Sequence, residues 1–180
     1  MSSSLKTTAD KLCNKVLEKF DAKVIDIFDS WLETWTTYLD QEAEFIAADL
    51  VQYNPGAIIS VCLGFNVGSE QGGNRPAVVI GRSSRSSRTL LVVPLGSLSE
   101  EDQEKDLRPF ECFLGELEDF NRLARKPAKT RSKAIVNQIR TISKQRIIRP
   151  TLQGDQCINI GDVKLKLIED ALISTIKTIK

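Results

Sequence analysis

Apolar residues in the first forty positions recur mostly at steps of three or four: Leu5, Leu12, Val16, Phe20, Val24, Ile27, Trp31, Trp35 and Tyr38. This spacing lines one face of an α-helix. With no glycine or proline before Pro55, it predicts one long helix over residues 5–39. A second short helix, "QEAEFIAADL", is expected after Asp40, which is a suitable cap. The turn Asn54-Pro55-Gly56 then ends this pattern. Short β-branched runs follow: "AIISVCLGF", "AVVIGR", "TLLVVPL" and "KAIVNQIRTI", with "RPFECFL" a weaker one. Short strands at close spacing, separated by Gly, Pro and Ser, predict a small antiparallel β-barrel. Parallel βαβ units would need helices between the strands, and no segment fits. Gly161-Asp162 offers a helix start, with Val163, Leu167, Leu172, Ile176 and Ile179 as its expected apolar stripe. The reading is mainly β with helices: a helical extension over 1–50, then a barrel domain with a C-terminal helix over 51–180.

Composition narrows the chemistry. The chain has 180 residues, 41% apolar and 27% charged, enough for a core and unlike a disordered tail. No apolar run approaches the roughly 20 residues that span a bilayer, and "MSSSLKTTADKLCNKV" has no apolar signal region. A cytoplasmic protein without a membrane partner is expected. Cys13, Cys62, Cys112 and Cys157 are widely spaced, which reads as reduced thiols rather than a zinc ribbon. Histidine is absent. That excludes Ser-His-Asp and Cys-His triads and histidine acid–base pairs. No metal or other cofactor is expected.

Charge is unevenly placed. Residues 1–50 hold five lysines and ten acids, a net −5, whereas residues 51–180 hold twenty basic and fourteen acidic residues, a net +6. A basic segment of this kind suits a polyanion.

Between the first two strands lies "LGFNVGSEQGGNRPAVVIG". Gly68, Gly72 and Gly73 permit backbone conformations and close approaches that other residues resist. Pro76 fixes the start of the next strand. Arg75 therefore sits at the seam of a loop and a sheet, where a guanidinium can fork onto phosphate oxygens. The alternative from these residues alone is a hairpin arginine paired with Glu70. The loop matches neither a Walker A nor a GxGxxG pattern.

The order "VGSEQGGNRPAVVI", "LLVVPL", "AIVNQIRTISKQRI" and a terminal helix resembles the MazF/PemK family of toxin ribonucleases over residues 55–180. The resemblance implies an SH3-like β-barrel that dimerises. It also implies a metal-independent endoribonuclease that cuts single-stranded RNA, such as mRNA, under the restraint of a cognate antitoxin. In that chemistry the RNA's own 2′-hydroxyl attacks the phosphodiester, leaving a 2′,3′-cyclic phosphate and a 5′-hydroxyl. Arg75 matches the family's catalytic arginine, with Glu70, Gln71, Gly72 and Gly73 as its RNA-binding loop. The third strand departs from the pattern. Gly96 stands where the family has a threonine, and Ser97, one residue later, is the substitute candidate. One residue of shift in a strand reverses side-chain direction, so attenuated activity or a silent binding module is the alternative.

The second block supplies Arg140, Thr141, Lys144 and Arg146, which either contact RNA or make structural contacts at the barrel edge. Six basic residues fall within 122–133, among them Arg125, Lys126, Lys129 and Arg131. Beside a ribonuclease site they are expected to gather backbone phosphates. For residues 1–50 three readings stand: a dimerisation helix, an adaptor for another protein, or a tethered acidic inhibitor.

Overall fold

The computed structural model describes residues 2–99 and 101–177. They form two compact units, Met1–Ala43 and Glu44–Lys180.

The first unit holds α1 (Ser2–Lys19) and α2 (Ala22–Gln41). The single helix expected over 5–39 is broken at Phe20–Asp21. Asp21 is the reason: its carboxylate accepts a hydrogen bond from the Val24 N–H at 2.9 Å, capping a new helix. Asp40 is not a cap but lies inside α2, and the short helix expected after it is only a 3-10 turn at Ala47–Asp49. On α2, Trp31 and Trp35 stack with centroids 6.2 Å apart, and Tyr38 meets Trp31 edge-on.

The second unit is a seven-stranded antiparallel sheet: β1 (Ile58–Cys62), β2 (Asn74–Val79), β3 (Thr89–Ser97), β4 (Glu111–Glu116), β5 (Arg131–Ile135), β6 (Arg140–Ser143) and β7 (Ile147–Arg149). Its order is β4-β5-β3-β2-β1-β7, with β6 also on β3, so the sheet is curled but not closed. The run "KAIVNQIRTI" is two strands. A 3-10 turn at Val136–Gln138 lets the chain cross from one half of β3 to the other, where β5 meets Leu95–Ser97 and β6 meets Thr89–Val92. The basic segment 121–133 includes the end of α3 (Glu118–Leu123) and the start of β5.

Alternation divides the core between the two faces of the sheet. Ile59, Val61, Ala77, Val79, Leu90 and Val92 bury one face. Ile58, Val78, Val93, Leu95 and Ala134 bury the other, against Ile168 and Leu172 of α4 (Asp162–Lys177). The helix begins where Gly161-Asp162 predicts, but its stripe is phased differently. Ile168 and Leu172 are buried, Val163, Leu167 and Ile176 are exposed, and Ile179 lies outside the described residues. Among the described residues no helix is long and apolar enough to cross a membrane.

Candidate functional site

The loop between β1 and β2 is tightly built. Gly73 has a φ of +69°, donates its N–H to Gly64 O and accepts from the Leu63 N–H, both at 2.8 Å. Gly72 is required for a different reason: a β-carbon there would stand 2.8 Å from Gly64 O. Asn66 Nδ2 donates to Gln71 O at 2.7 Å. From the other signature block, the amide of Gln138 reaches over. Its Oε1 accepts the Gln71 N–H at 3.1 Å, and its Nε2 donates to Ser69 O at 3.5 Å. The two blocks, 67 residues apart in sequence, meet through that side chain.

Arg75 is the second residue of β2 and is exposed. Its Nε donates to Gly72 O at 3.1 Å, which ties the guanidinium to the glycine loop. It forms no ion pair with Glu70 or any other described residue, and its two terminal nitrogens have no protein acceptor among them. An exposed guanidinium anchored through Nε presents its fork to an oxyanion.

The β2–β3 ladder ends at Ala77↔Pro94. The next residue on β2 is Pro76, and neither proline has an N–H to extend the ladder. Beyond that point Asn74–Pro76 pair only with β1, and Leu95–Ser97 pair only with β5. The sheet therefore splits beside Arg75. Had the register continued, Arg75 would face Gly96.

On β3 the register with β5 runs without a bulge through Leu95↔Ala134, Gly96↔Lys133 and Ser97↔Ser132. Ser97 thus shares a face with Leu95, and Gly96 shares the opposite face with Arg75. Ser97 Oγ accepts a hydrogen bond from Lys126 Nζ at 3.0 Å. Lys126 also lies 4.6 Å from the Phe120 ring centroid, and burial pushes its pKa down. Lys126, Phe120, Pro76, Ser60 and Pro150 border a cavity of about 320 Å³ next to the split.

The remaining candidates are scattered. Arg140 is half-buried and Thr141 exposed on β6, and Arg140 has no hydrogen-bond or ion-pair partner among the described residues. Lys144 is turned inward, 2% exposed, with Nζ on Ser84 O at 3.0 Å and Arg85 O at 3.3 Å, where burial lowers its pKa. Arg146 donates to Cys62 O at 3.3 Å. Arg131 is pinned to the loop after β3 through Ser99 O and Asp102 O. Arg125 and Lys129 are exposed, both in left-handed conformation, and the Lys129 N–H meets Glu116 Oε1. The structure brings Gln71, Gly72, Gly73 and Arg75 together, with Glu70 exposed on the same loop. It sets Ser97 and Lys126 apart as a second pair and keeps Lys144 out of reach of solvent.

Two features were not anticipated from the sequence. Gln138 could have been found only by asking what a polar residue between two strands is for. The other is an ion pair behind Gly96, Lys133 Nζ to Glu111 Oε1 at 2.9 Å, largely withdrawn from water. Among the described residues no group of three or more cysteines and carboxylates is placed to hold a metal ion.

The family model described as "PemK-like, MazF-like toxin of type II toxin-antitoxin system" matches residues 54–174. Among solved structures, MazF (Form-I) from Deinococcus radiodurans is 17% identical, with 70% of this chain and 97% of that chain covered and a TM-score of 0.48. An endoribonuclease in complex with its cognate antitoxin from Mycobacterial species is 13% identical, with 70% and 96% covered and a TM-score of 0.43. MazE-MazF (Form-III) from Deinococcus radiodurans is 16% identical, with 70% and 97% covered and a TM-score of 0.43. Among curated proteins no match was found.

Proposed function

The chain belongs to the PemK-like, MazF-like toxin family, and from that premise we propose that it is a metal-independent endoribonuclease acting on single-stranded RNA in the cytoplasm. The observation that carries the reading is Arg75: exposed, held by Gly72 O through Nε, and without a carboxylate partner among the described residues.

The reaction needs no protein nucleophile, which suits a chain without histidine. The 2′-oxygen forms a bond to the adjacent phosphorus, and the bond from phosphorus to the 5′-oxygen breaks. The 2′-hydroxyl proton passes to solvent, and the departing 5′-oxygen takes one up. The products are a 2′,3′-cyclic phosphate and a 5′-hydroxyl. Arg75 stabilises the charge on the non-bridging oxygens as the phosphorus becomes five-coordinate. Charge stabilisation, rather than the work of a free base, is the role assigned to it. The glycine loop leaves its backbone open to the strand, and Gln138 holds that loop in place.

A second copy completes the RNA groove, giving a homodimer, and a cognate antitoxin restrains the enzyme. The solved complex of an endoribonuclease with its cognate antitoxin supports the antitoxin part.

A second reading is favoured by one observation. Gly96 has no hydroxyl, and the regular strand sends Ser97 to the other face, onto Lys126. In that reading cleavage is slow and the protein acts by holding RNA. Incubation with a long unstructured RNA in EDTA, followed by mapping of 5′ ends, separates the two. Discrete cuts that disappear in Arg75→Ala support the enzyme. Binding without cuts supports the slow reading.

A further inference from the structure

We infer that Lys133 is a second phosphate-binding cation of the Arg75 site, clamped by Glu111 and given its room by Gly96. This rests on the reading of the chain as a protein that takes RNA at Arg75.

Three observations carry it. The first is register. Arg75, Gly96 and Lys133 are in line on three strands and on one face: Gly96 pairs with Lys133, and Arg75 would be the next partner of Gly96 if β2 and β3 stayed joined. In an unsplit sheet, with strands roughly 4.8 Å apart, the Cα atoms of Arg75 and Lys133 would stand about 10 Å apart, and the split makes that a lower bound. Two long cationic side chains from such positions can meet on one phosphate.

The second is the space over Gly96. A β-carbon built there lies 3.5 Å from Lys133 Cε, 3.6 Å from Lys133 Cγ and 3.6 Å from Ile135 Cδ1. The lysine stem occupies the volume that a larger side chain at 96 would claim. The missing side chain on β3 is thus matched by a charged one from β5.

The third is the state of the ammonium. One of its three donors goes to Glu111 Oε1 at 2.9 Å. The other two have no acceptor among the described residues. The Lys133 side chain is 21% exposed and that of Glu111 is 9% exposed. The cation is therefore fixed and poorly hydrated, yet still reachable. Three other cations of the basic segment are committed elsewhere: Arg131 to the loop after β3, Lys126 to Ser97 and Arg122 to Asp119; Arg125 and Lys129 are exposed. A cation held in place at a partly dry position stabilises an oxyanion more than a solvated one does.

The test uses the full chain. Binding is measured against salt with a mixed-sequence single-stranded DNA oligonucleotide, which lacks the 2′-hydroxyl and is not cut. Loss of one phosphate contact makes the slope of log K against log salt shallower by about 0.7. That change is expected for Lys133→Met and not for Lys133→Arg. On RNA, Lys133→Met is expected to lose about ten- to a hundredfold in kcat, with Arg75→Ala losing more. Removing the lysine alone leaves Glu111 buried without its partner, which can unfold the variant. The double variant Lys133→Met/Glu111→Gln avoids that and is expected to show the same slope change. Wild-type slope and rate in a folded Lys133→Met or double variant overturn the inference, while loss of cutting in Arg75→Ala alone keeps the proposed function. If the wild type cuts nothing, the ribonuclease reading fails, and the slopes still decide whether Lys133 meets phosphate.

Discussion

The side-chain carbonyl oxygen of Gln138 accepts the backbone N–H of Gln71 at 3.1 Å. A residue in the turn between β5 and β6 therefore sets the glycine loop that carries Arg75. A hydrogen bond of this kind contributes about 1 kcal/mol net. Gln138→Ala is expected to lower stability by that order and to speed exchange of the Gln71 amide hydrogen. RNA cleavage should fall severalfold while the fold is kept. Unchanged protection of the Gln71 amide would show that the loop holds itself.

Gly72 is the tightest position in the loop. A methyl group there would press on Gly64 O from 2.8 Å, a backbone atom that cannot swing away. Gly72→Ala is expected to destabilise the protein by about 1–3 kcal/mol, the range for overpacking, in urea unfolding. Because Gly72 O holds Arg75, activity should fall further than stability predicts. Gly68→Ala makes a useful contrast. Its β-carbon would meet nothing within 4 Å, so its cost comes from its positive φ alone.

Much of this arrangement could be read from the chain, and the exceptions have a physical cause. The β-branched runs at Ile58–Cys62, Ala77–Val79 and Thr89–Leu95 are strands, and Gly161-Asp162 starts α4. Local composition and turn chemistry decide those elements. The break at Asp21 was missed because an aspartate inside an apolar helical rhythm looks like a solvated position until its carboxylate is seen on the Val24 N–H. On α4 the expected stripe holds at Leu172 but not at Ile168, because the buried positions are chosen by the sheet they cover. At the site, Arg75 stands out beside its glycines. Lys144 does not: its sequence neighbours are polar, yet its ammonium is drawn inward by the carbonyls of Ser84 and Arg85, about sixty residues away. The pairing of Lys133 with Glu111 depends on strand order, which no local pattern reveals.

The Glu111–Lys133 pair has a pH signature. Burial alone would raise the Glu111 pKa. The hydrogen bond and charge of Lys133, with the Arg108 N–H and charge, outweigh it and hold the carboxyl below the ordinary glutamate value of 4.5. A carboxyl with a lowered folded-state pKa contributes stability above its unfolded pKa, and that contribution is lost as pH falls through the folded value. The stability difference between wild type and Glu111→Gln should therefore be greatest above about pH 4.5 and shrink at lower pH. A difference that stays constant from neutral to strongly acid pH would mean that the pair does not form.

Both buried clusters of the sheet draw only on residues from Val51 onward. A chain of residues 44–180 is expected to fold cooperatively, with the near-ultraviolet signal of a packed core. A molten, non-cooperative product would show that the helical unit is needed for folding. With that control, cleavage by the shortened chain reports directly on whether the acidic helices, net −5 over residues 1–50, restrain the basic domain.

The central claim concerns one guanidinium, and end-group analysis after incubation with RNA in EDTA tests it most directly. The wild-type chain is expected to leave 2′,3′-cyclic phosphates and 5′-hydroxyls at discrete positions. Arg75→Ala, with an unchanged unfolding transition, should leave the RNA intact, and Arg75→Lys should recover only a small part of the rate because one ammonium cannot reproduce the fork. Equal cutting by wild type and a folded Arg75→Ala, or cutting only when a divalent metal is supplied, would contradict the account.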